Sequence, residues 1–201
     1  LYVSNLPVIF ASALFANVIH TQHEGTYSPD GAFFPSPQGF GRPYIGGVTV
    51  NLPRLACLSQ GDDGSFEAEL ENSVGLALDA TQVRHSALYD RIHGNLLPYL
   101  FEGNGEAPCR FDQAVMAVGF TGLDEATVLH TGRHVHEDAN AEGFANRCLC
   151  RMARLISDRA ERTGEHIYLT QIASFESAER LAALDYQAYG QVTAKARPQS
   201  S

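Results

Sequence analysis

Short apolar segments alternate with long amphipathic segments along most of this chain, and no other feature of the sequence constrains its fold as strongly. Three short segments are apolar and bounded by glycine or polar residues, which is typical of buried strands: 45–50, 113–120 and 166–172. Four segments carry apolar residues at helical spacing: 65–93, 123–130, 139–162 and 176–184. Strands that alternate with helices predict an α/β fold with a mainly parallel sheet.

The ends of the predicted long helices carry suitable capping residues. Ser65 can cap the first long helix, and Glu67 and Glu69 fall in its first turn, where acidic side chains are favourable. Gly94 and Gly164 follow the last helical positions of the two long helices, as expected of residues that end a helix. These local signals agree with the hydrophobic periodicity, so the sequence predicts both long helices.

The composition restricts the class of protein. With 201 residues, of which 44% are hydrophobic, the chain can form one domain with a substantial core. The net charge of −9 and the absence of a basic patch argue against a nucleic-acid partner. The basic residues within 147–162 recur at helical spacing, which predicts a solvated helix face. The four cysteines match neither a zinc motif nor a disulfide framework, which favours a reducing cytoplasm.

The amino-terminal part of the chain is predicted to differ from the rest. The apolar segment 6–19 is too short to span a bilayer and lacks the features of a signal peptide, so we interpret it as a core element and expect no membrane partner. Four prolines and four glycines in 22–44 predict a long loop without regular structure, and its five aromatic residues argue against disorder. Because the chain starts with leucine inside an apolar pattern, we expect it to be a piece of a longer protein.

Candidate binding residues follow the predicted strands, because ligands of open α/β sheets bind at the carboxyl ends of the strands. Three segments lie at such ends: 51–54, 119–125 and 173–177. Asn51 offers one hydrogen-bond acceptor and two donors, which suits a hydroxyl or amide ligand. The alternative is that Asn51 is a strand-end amide satisfied locally by the backbone.

Ser174 and Ser177 surround the start of the last predicted helix. Backbone N–H groups at a helix start can bind a phosphate. The alternative is an ordinary cap, with Ser174 as the capping residue and Glu176 and Ser177 in the first turn. The sequence leaves both interpretations open.

Imidazole and carboxylate side chains cluster between two of the predicted helices. The members of this histidine-rich segment are His130, His134, His136, Glu137 and Asp138. Such side chains can bind zinc or iron, but their spacing matches no closed metal site, so we interpret them as surface residues and predict no metal in this chain. His20 and His23 lack a third ligand nearby and receive the same interpretation. No hydrolase triad, phosphate-binding loop or dinucleotide fingerprint is present.

Three stretches together resemble a known family. They are "GGVTVNLPRLA" at 46–56, "VMAVGFTGLDEA" at 115–126 and "GEHIYLTQIASFESAERLAALDYQAYG" at 164–190. In their order and separation they resemble the catalytic subunit of the anaerobic (class III) ribonucleoside-triphosphate reductases, which are glycyl radical enzymes. The resemblance covers roughly residues 44 to 190.

The resemblance implies that the chain is part of a ten-stranded α/β barrel of the glycyl radical enzyme type. On this view residues 1–201 form a single partial barrel domain, in which 44–190 are the barrel portion. Residues 1–43 are then an apolar segment followed by a long loop, and residues 191–201 are a loose tail.

The resemblance also implies substrate-binding residues. The family's asparagine in the first stretch faces the ribose of the substrate, and it corresponds to Asn51. The family's phosphate-side loop corresponds to Ala173, Ser174, Phe175 and Glu176, although the proline of the family's pattern is missing here. The family's radical-bearing cysteine precedes the asparagine, whereas the first cysteine of this chain, Cys57, follows it. No catalytic residue is therefore assigned.

The function implied by the resemblance is that of a fragment of an anaerobic ribonucleotide reductase, which makes deoxyribonucleotides for DNA replication by radical chemistry in the cytoplasm. The chain itself would hold no cofactor, and the glycyl radical and a structural zinc would belong to a carboxyl-terminal part beyond it. The implied partners are a ribonucleoside triphosphate, a radical-SAM activating enzyme and a second copy of the protein. Two alternatives remain: a non-catalytic nucleotide-binding or interaction domain of the same fold, and a glycyl radical enzyme with a non-nucleotide substrate.

Overall fold

The computed structural model describes residues 8–11, 25–27, 33–35, 44–94, 96, 114–172 and 175–190. Six strands lie in these ranges: β1 Val8–Ala11, β2 Gly25–Tyr27, β3 Phe33–Pro35, β4 Tyr44–Asn51, β5 Val115–Thr121 and β6 His166–Ile172. The helices of these ranges are α1 Leu52–Ser59, α2 Asp63–His93, α3 Leu123–Thr131, α4 Ala139–Thr163 and α5 Phe175–Tyr189.

Four of the strands form one parallel sheet in the order β1-β6-β5-β4. Val8 pairs with Leu169 at one edge, and Asn51 pairs with Thr121 at the other. The predicted α/β class with a parallel sheet is therefore confirmed. The described residues form an open sheet of four strands, which is a smaller unit than the ten-stranded barrel expected from the resemblance.

The core lies between this sheet and the two long helices. Alternate residues of β5, Met116, Val118 and Phe120, belong to one buried cluster, as the two-residue period of a strand requires. Helices α2 and α4 pack against each other and cover the sheet, and they contribute these buried residues to the cluster: Phe66, Leu70, Val74, Phe144, Cys148 and Met152. Their apolar residues recur at helical spacing, so the predicted amphipathic helices form as expected.

Helix α2 begins at a different residue from the predicted one. Asp62 is the N-cap, and its carboxylate accepts a hydrogen bond of 2.7 Å from the backbone N–H of Ser65. The prediction that Ser65 caps the helix was therefore wrong, because an Asp three residues earlier supplies the oxygen acceptor that the first turn requires. Gly94 and Gly164 follow α2 and α4 as predicted.

Two elements were not predicted from the sequence. Strands β2 and β3 pair antiparallel inside the segment predicted to lack regular structure, with Pro35 at the end of the pair, where a missing N–H is tolerated. Helix α1 follows β4 directly, and Pro53 occupies its first turn, where proline is favourable because the first N–H groups of a helix need no intrahelical partner. The predicted tail after Gly190 lies outside the described residues.

The basic face predicted on α4 is only partly solvated. Arg151 forms an ion pair with Glu71, and Arg159 forms one with Asp79, so two of its cations connect α4 to α2. Close packing of the two helices brings these charges together, which periodicity in one helix could not reveal. Within the described ranges no helix combines the length and the hydropathy needed to cross a membrane.

Candidate functional site

The carboxyl ends of β4 and β5 lie level with each other. Asn51 is the last residue of β4 and pairs with Thr121, the last residue of β5. Because α1 starts at Leu52 without a connecting loop, Asn51 is also the N-cap residue of that helix. An N-cap asparagine commonly uses its side chain to accept a hydrogen bond from the first turn, but the side chain of Asn51 makes no such bond. The amide is therefore available for another partner.

That partner is Asp185, which lies near the end of α5. Nδ2 of Asn51 donates a hydrogen bond of 2.7 Å to Oδ2 of Asp185. The other oxygen of the carboxylate, Oδ1, accepts from Nε of Arg54 at 2.7 Å, and Nη2 of Arg54 is also 2.7 Å from it. Arg54 lies one helical turn after Asn51, so the start of α1 presents both donors to the same carboxylate.

The carboxylate of Asp185 is almost completely removed from solvent. Asp185 is 2% exposed, whereas the side chain of Arg54 remains 38% exposed. A buried carboxylate is costly unless it is paired and hydrogen-bonded. Here both of its oxygens have donors, so the burial is compensated by α1.

Cys57 lies one further turn along α1 and is buried. Its pKa is raised above the ordinary value, first by burial and then by the negative charge of Asp185, while Arg54 acts in the opposite direction. A thiol with a raised pKa is protonated at neutral pH and is a poor nucleophile. Cys57 therefore does not have the properties of a reactive cysteine.

The turn after β5 contacts α1 closely. Gly122 has a φ of +72°, and a Cβ atom at this position would lie 2.4 Å from Cγ of Pro53. A side chain would thus both strain the backbone and collide with the proline ring. The end of β5 therefore packs directly against α1, the helix that carries Arg54 and Cys57.

The other predicted binding residues follow β6. Ala173 and Ser174 lie outside the described residues, as do the side chains of Phe175 and Glu176. The backbone of α5 begins at Phe175, three residues after the last residue of β6, which agrees with the predicted helix start. The contact of Asp185 with Asn51 connects this helix to the end of β4.

The histidine-rich segment differs from the surface cluster that was predicted. The side chain of His130 is only 4% exposed, and its Nε2 is 2.6 Å from Oδ1 of Asp63. Its ring stacks on Phe144 with a centroid distance of 4.3 Å and also contacts Phe66. The surface prediction was therefore wrong for His130, because α2 and α4 each place a phenyl ring against the imidazole.

The remaining members of the segment stay closer to the surface. Nδ1 of His134 is 2.7 Å from Oδ2 of Asp124, and His136 is exposed. Throughout the part of the chain that the structure describes, no three histidine, cysteine or acidic side chains are grouped as metal ligands would be. These residues therefore do not fit a structural zinc.

Two residues of the site were missed by sequence reasoning. Arg54 was noted only as part of a strand end, and Asp185 only as part of the stretch 164–190, one residue beyond the predicted helix 176–184. The one available signal is weak: Asp185 has no basic residue within four positions on either side, so no local ion pair accounts for it.

Comparison with known proteins identifies the family of this chain. The family model described as anaerobic ribonucleoside-triphosphate reductase matches residues 14–198. The chain is 27% identical over 166 residues to the anaerobic ribonucleoside-triphosphate reductase of Escherichia coli (strain K12), and the match covers 76% of this chain and 23% of that protein. The chain thus spans about a quarter of the length of the curated relatives that it matches.

Solved structures give the same result. The anaerobic ribonucleotide reductase of Thermotoga maritima with dATP bound in the specificity site matches with a TM-score of 0.65 at 25% identity, over 72% of this chain and 25% of that one. A complex of the Thermotoga maritima enzyme with dATP and CTP matches over 87% of this chain and 29% of that one, with a TM-score of 0.69. At 22% identity the second match shows the fold alone. Since the family model covers most of its length, the chain belongs to the anaerobic ribonucleoside-triphosphate reductase family.

Proposed function

We propose that this chain is the part of an anaerobic ribonucleotide reductase that carries the substrate-facing edge of the sheet. The complete protein would convert ribonucleoside triphosphates to deoxyribonucleotides. The observation that carries the proposal is the position of Asn51, whose amide lies at the carboxyl end of β4 and is held there by a buried carboxylate. A strand-end amide that only closes a turn would not need a partner 134 positions away.

In this proposal Asn51 contacts the ribose of the substrate. An amide offers both an acceptor and a donor, which matches the hydroxyl groups of a sugar. The neighbouring end of β5 has a glycine at 122, which lets the turn after this strand lie directly against Pro53 of α1. Support comes from the family membership of the chain and from the general position of ligands in α/β sheets.

The segment with Ala173, Ser174 and Glu176 would hold the phosphates. Helix α5 begins at Phe175, and the N–H groups of a first helical turn have no intrahelical acceptors, so they favour an anion. The relative from Thermotoga maritima has dATP bound in its specificity site, which supports a nucleotide ligand for the family.

The remaining parts of the enzyme would come from outside this chain. We propose that the four-stranded sheet is one portion of a ten-stranded barrel, in which the free edge of β4 among the described strands would receive a neighbour. A glycyl radical would supply the hydrogen-abstracting chemistry when present, and a structural zinc would belong to the same carboxyl-terminal part. A radical-SAM activating enzyme, a homodimeric assembly and a cytoplasmic location complete the proposal.

The two alternatives make different predictions. A non-catalytic domain of the same fold would bind nucleotides without turnover, and a glycyl radical enzyme for another substrate would not bind them. The family model favours the reductase over both, because it matches the reductase family itself.

The test uses the full-length protein under anaerobic conditions. Equilibrium binding of each ribonucleoside triphosphate is measured for the wild type and for Asn51→Ala, together with the rate of deoxyribonucleotide formation. Loss of one hydrogen bond to the ribose is expected to weaken binding about 10-fold. Asn72→Ala serves as the matched control, since Asn72 is exposed on α2, and it should bind as the wild type does.

Three results would contradict parts of the proposal. Unchanged binding by Asn51→Ala would remove the ribose contact. Binding without turnover by the activated wild type would favour the non-catalytic domain. Failure of the wild type to bind any ribonucleoside triphosphate would favour an enzyme with another substrate.

A further inference from the structure

We infer that Asp185 is a positioning residue that fixes the orientation of the Asn51 amide, so that the site presents a hydrogen-bond acceptor to its ligand and selects a sugar hydroxyl as the donor. This inference rests on the proposed function, because it specifies what the same site recognises. It concerns two residues that lie 134 positions apart in the sequence and that the fold brings into contact.

The side-chain amide of Asn51 has two possible orientations. The side chain of an asparagine can rotate by half a turn, which exchanges its oxygen and its nitrogen at almost no steric cost. A carboxylate can only accept hydrogen bonds, so only the nitrogen of Asn51 can face Oδ2 of Asp185 at 2.7 Å. In the opposite orientation two oxygen atoms would approach each other without a proton between them. Asp185 therefore excludes one of the two orientations.

The carboxylate of Asp185 is held by donors on both of its oxygens. Arg54 donates to Oδ1 and leaves Oδ2 to Asn51, so each oxygen has its own donor. Arg54 lies 2.7 Å from Oδ1, and a carboxylate paired with a guanidinium offers the amide only hydrogen-bond acceptors. Because Asp185 is 2% exposed, little water competes for these bonds, and the orientation is held more firmly than it would be at the surface.

The orientation of the amide determines what Asn51 offers to a ligand. With Nδ2 directed at Asp185, Oδ1 of Asn51 becomes the group that the amide offers on its other side. Among the residues that the structure describes, none donates a hydrogen bond to this oxygen. A ligand hydroxyl can donate to it, whereas a ligand with hydrogen in place of that hydroxyl leaves the acceptor without a donor. Sites of this kind discriminate strongly against analogues that lack the donor group.

The contacts of Asp185 with Arg54 and with Asn51 have different effects. Arg54 alone would neutralise Asp185 and connect α5 to α1, because two of its nitrogen atoms lie 2.7 Å from Oδ1. The bond from Oδ2 to the strand-end amide helps to compensate the burial of the carboxylate, but it is not needed to pair Asp185 with a cation. Its specific effect is on the direction of the Asn51 side chain.

The test compares hydroxyl discrimination in the full-length protein. Binding is measured for a ribonucleoside triphosphate and for its 2′-deoxy and 3′-deoxy analogues, with wild type, Asp185→Asn, Asn51→Ala and the double variant. In the wild type, removal of the contacted hydroxyl should weaken binding about 10-fold or more. In Asp185→Asn the neighbour can accept or donate, so both amide orientations become possible and the discrimination should fall to within about 3-fold.

Two further measurements distinguish positioning from loss of structure. Asp185→Asn should not weaken ribonucleotide binding further when Asn51 is already alanine, because Asp185 then has no amide to orient. Asp185→Glu, which keeps the carboxylate, should retain more hydroxyl discrimination than Asp185→Asn. Thermal unfolding establishes that each variant is folded, and Asp185→Ser replaces Asp185→Asn if the latter does not fold.

Several outcomes would overturn the inference. One is a folded Asp185→Asn or Asp185→Ser protein that discriminates between the nucleotide and its deoxy analogues as the wild type does. Another is an equal loss of affinity from Asp185→Asn in the wild-type and Asn51→Ala backgrounds. A wild type that binds no ribonucleotide would overturn the proposed function and the inference together, so the two failures are distinguishable.

Discussion

Nδ2 of Asn51 lies 2.7 Å from Oδ2 of Asp185, and this bond joins the end of β4 to α5. The carboxylate is buried, and its second oxygen is held by Arg54 at 2.7 Å. Three polar side chains thus form one compact unit beneath the edge of the sheet where the substrate is proposed to bind. Within this unit Arg54 is partly exposed, whereas Asp185 is buried.

Removing Arg54 should destabilise the protein more than neutralising Asp185. Arg54→Met keeps the apolar stem but leaves a carboxylate that is 3% exposed without a cation, which should cost about 3 kcal/mol or more. Asp185→Asn leaves a guanidinium that is 38% exposed and can be solvated, so about 1–2 kcal/mol is expected. Urea unfolding of both variants measures the difference. Equal losses would mean that the burial of the carboxylate does not control the stability of this unit.

Gly122→Ala should be markedly more destabilising than Gly132→Ala. Both glycines have positive φ angles, +72° and +79°, so both substitutions place alanine in the left-handed region. At Gly122 the new methyl group would also meet the Pro53 ring at 2.4 Å, whereas nothing lies within 4 Å at Gly132. The additional overpacking should cost about 1–3 kcal/mol beyond the control. Equal unfolding free energies for the two variants would contradict the close contact.

Cys148 and Cys150 lie two positions apart on α4 and should differ in reactivity. Burial raises the pKa of Cys148 to about 12, so at about pH 8 only about one molecule in ten thousand carries its thiolate. Cys150 is exposed and should react with iodoacetamide much faster. Peptide mass spectrometry after labelling of the native protein identifies the modified residue, and labelling in denaturant is the control that should remove the difference. Preferential labelling of Cys148 in the native protein would contradict the buried packing of α4.

The contact of His134 with Asp124 should make part of the stability depend on pH. The hydrogen bond that Nδ1 of His134 donates to Asp124 raises the pKa of His134 above its ordinary value of 6.5, and desolvation partly opposes this. For Asp124, burial raises the pKa, but hydrogen bonds from Val135 and His134 outweigh this and lower it. The stabilisation from His134 is present below its ordinary pKa and is lost as the pH rises through the raised value. The stabilisation from Asp124 is present above its ordinary pKa and is lost as the pH falls through the lowered one.

His134→Gln should therefore cost more stability near about pH 5.5, where both groups are charged, than at a pH well above the raised pKa of His134, where the histidine has lost its proton. Unfolding free energies at the two pH values give the measurement. Asp124→Asn is the companion variant, and in its background the pH dependence of the His134→Gln effect should largely disappear. A substitution cost that does not change between the two pH values would argue against a charged pair.

Local sequence patterns were sufficient for most elements near the site. The short apolar segment 45–50 predicted β4, and the spacing of Phe66, Leu70 and Val74 predicted α2, because each pattern reports burial within one element. The same reasoning missed α1, since Asn51, Leu52 and Pro53 resemble the start of a turn as much as the first residues of a helix. It also misplaced His130, because burial of that ring depends on two phenylalanines from different helices.

The sequence by itself determined that an amide ends the first strand of the family motif and that a helix ends in a segment carrying Asp185. Only the tertiary structure decided that these two residues meet, and therefore which atom of the Asn51 amide is used to bind Asp185. The physical reason is that periodicity and capping act over a few residues, whereas the pairing of a buried carboxylate depends on donors brought through space by the packing of α5 against α1.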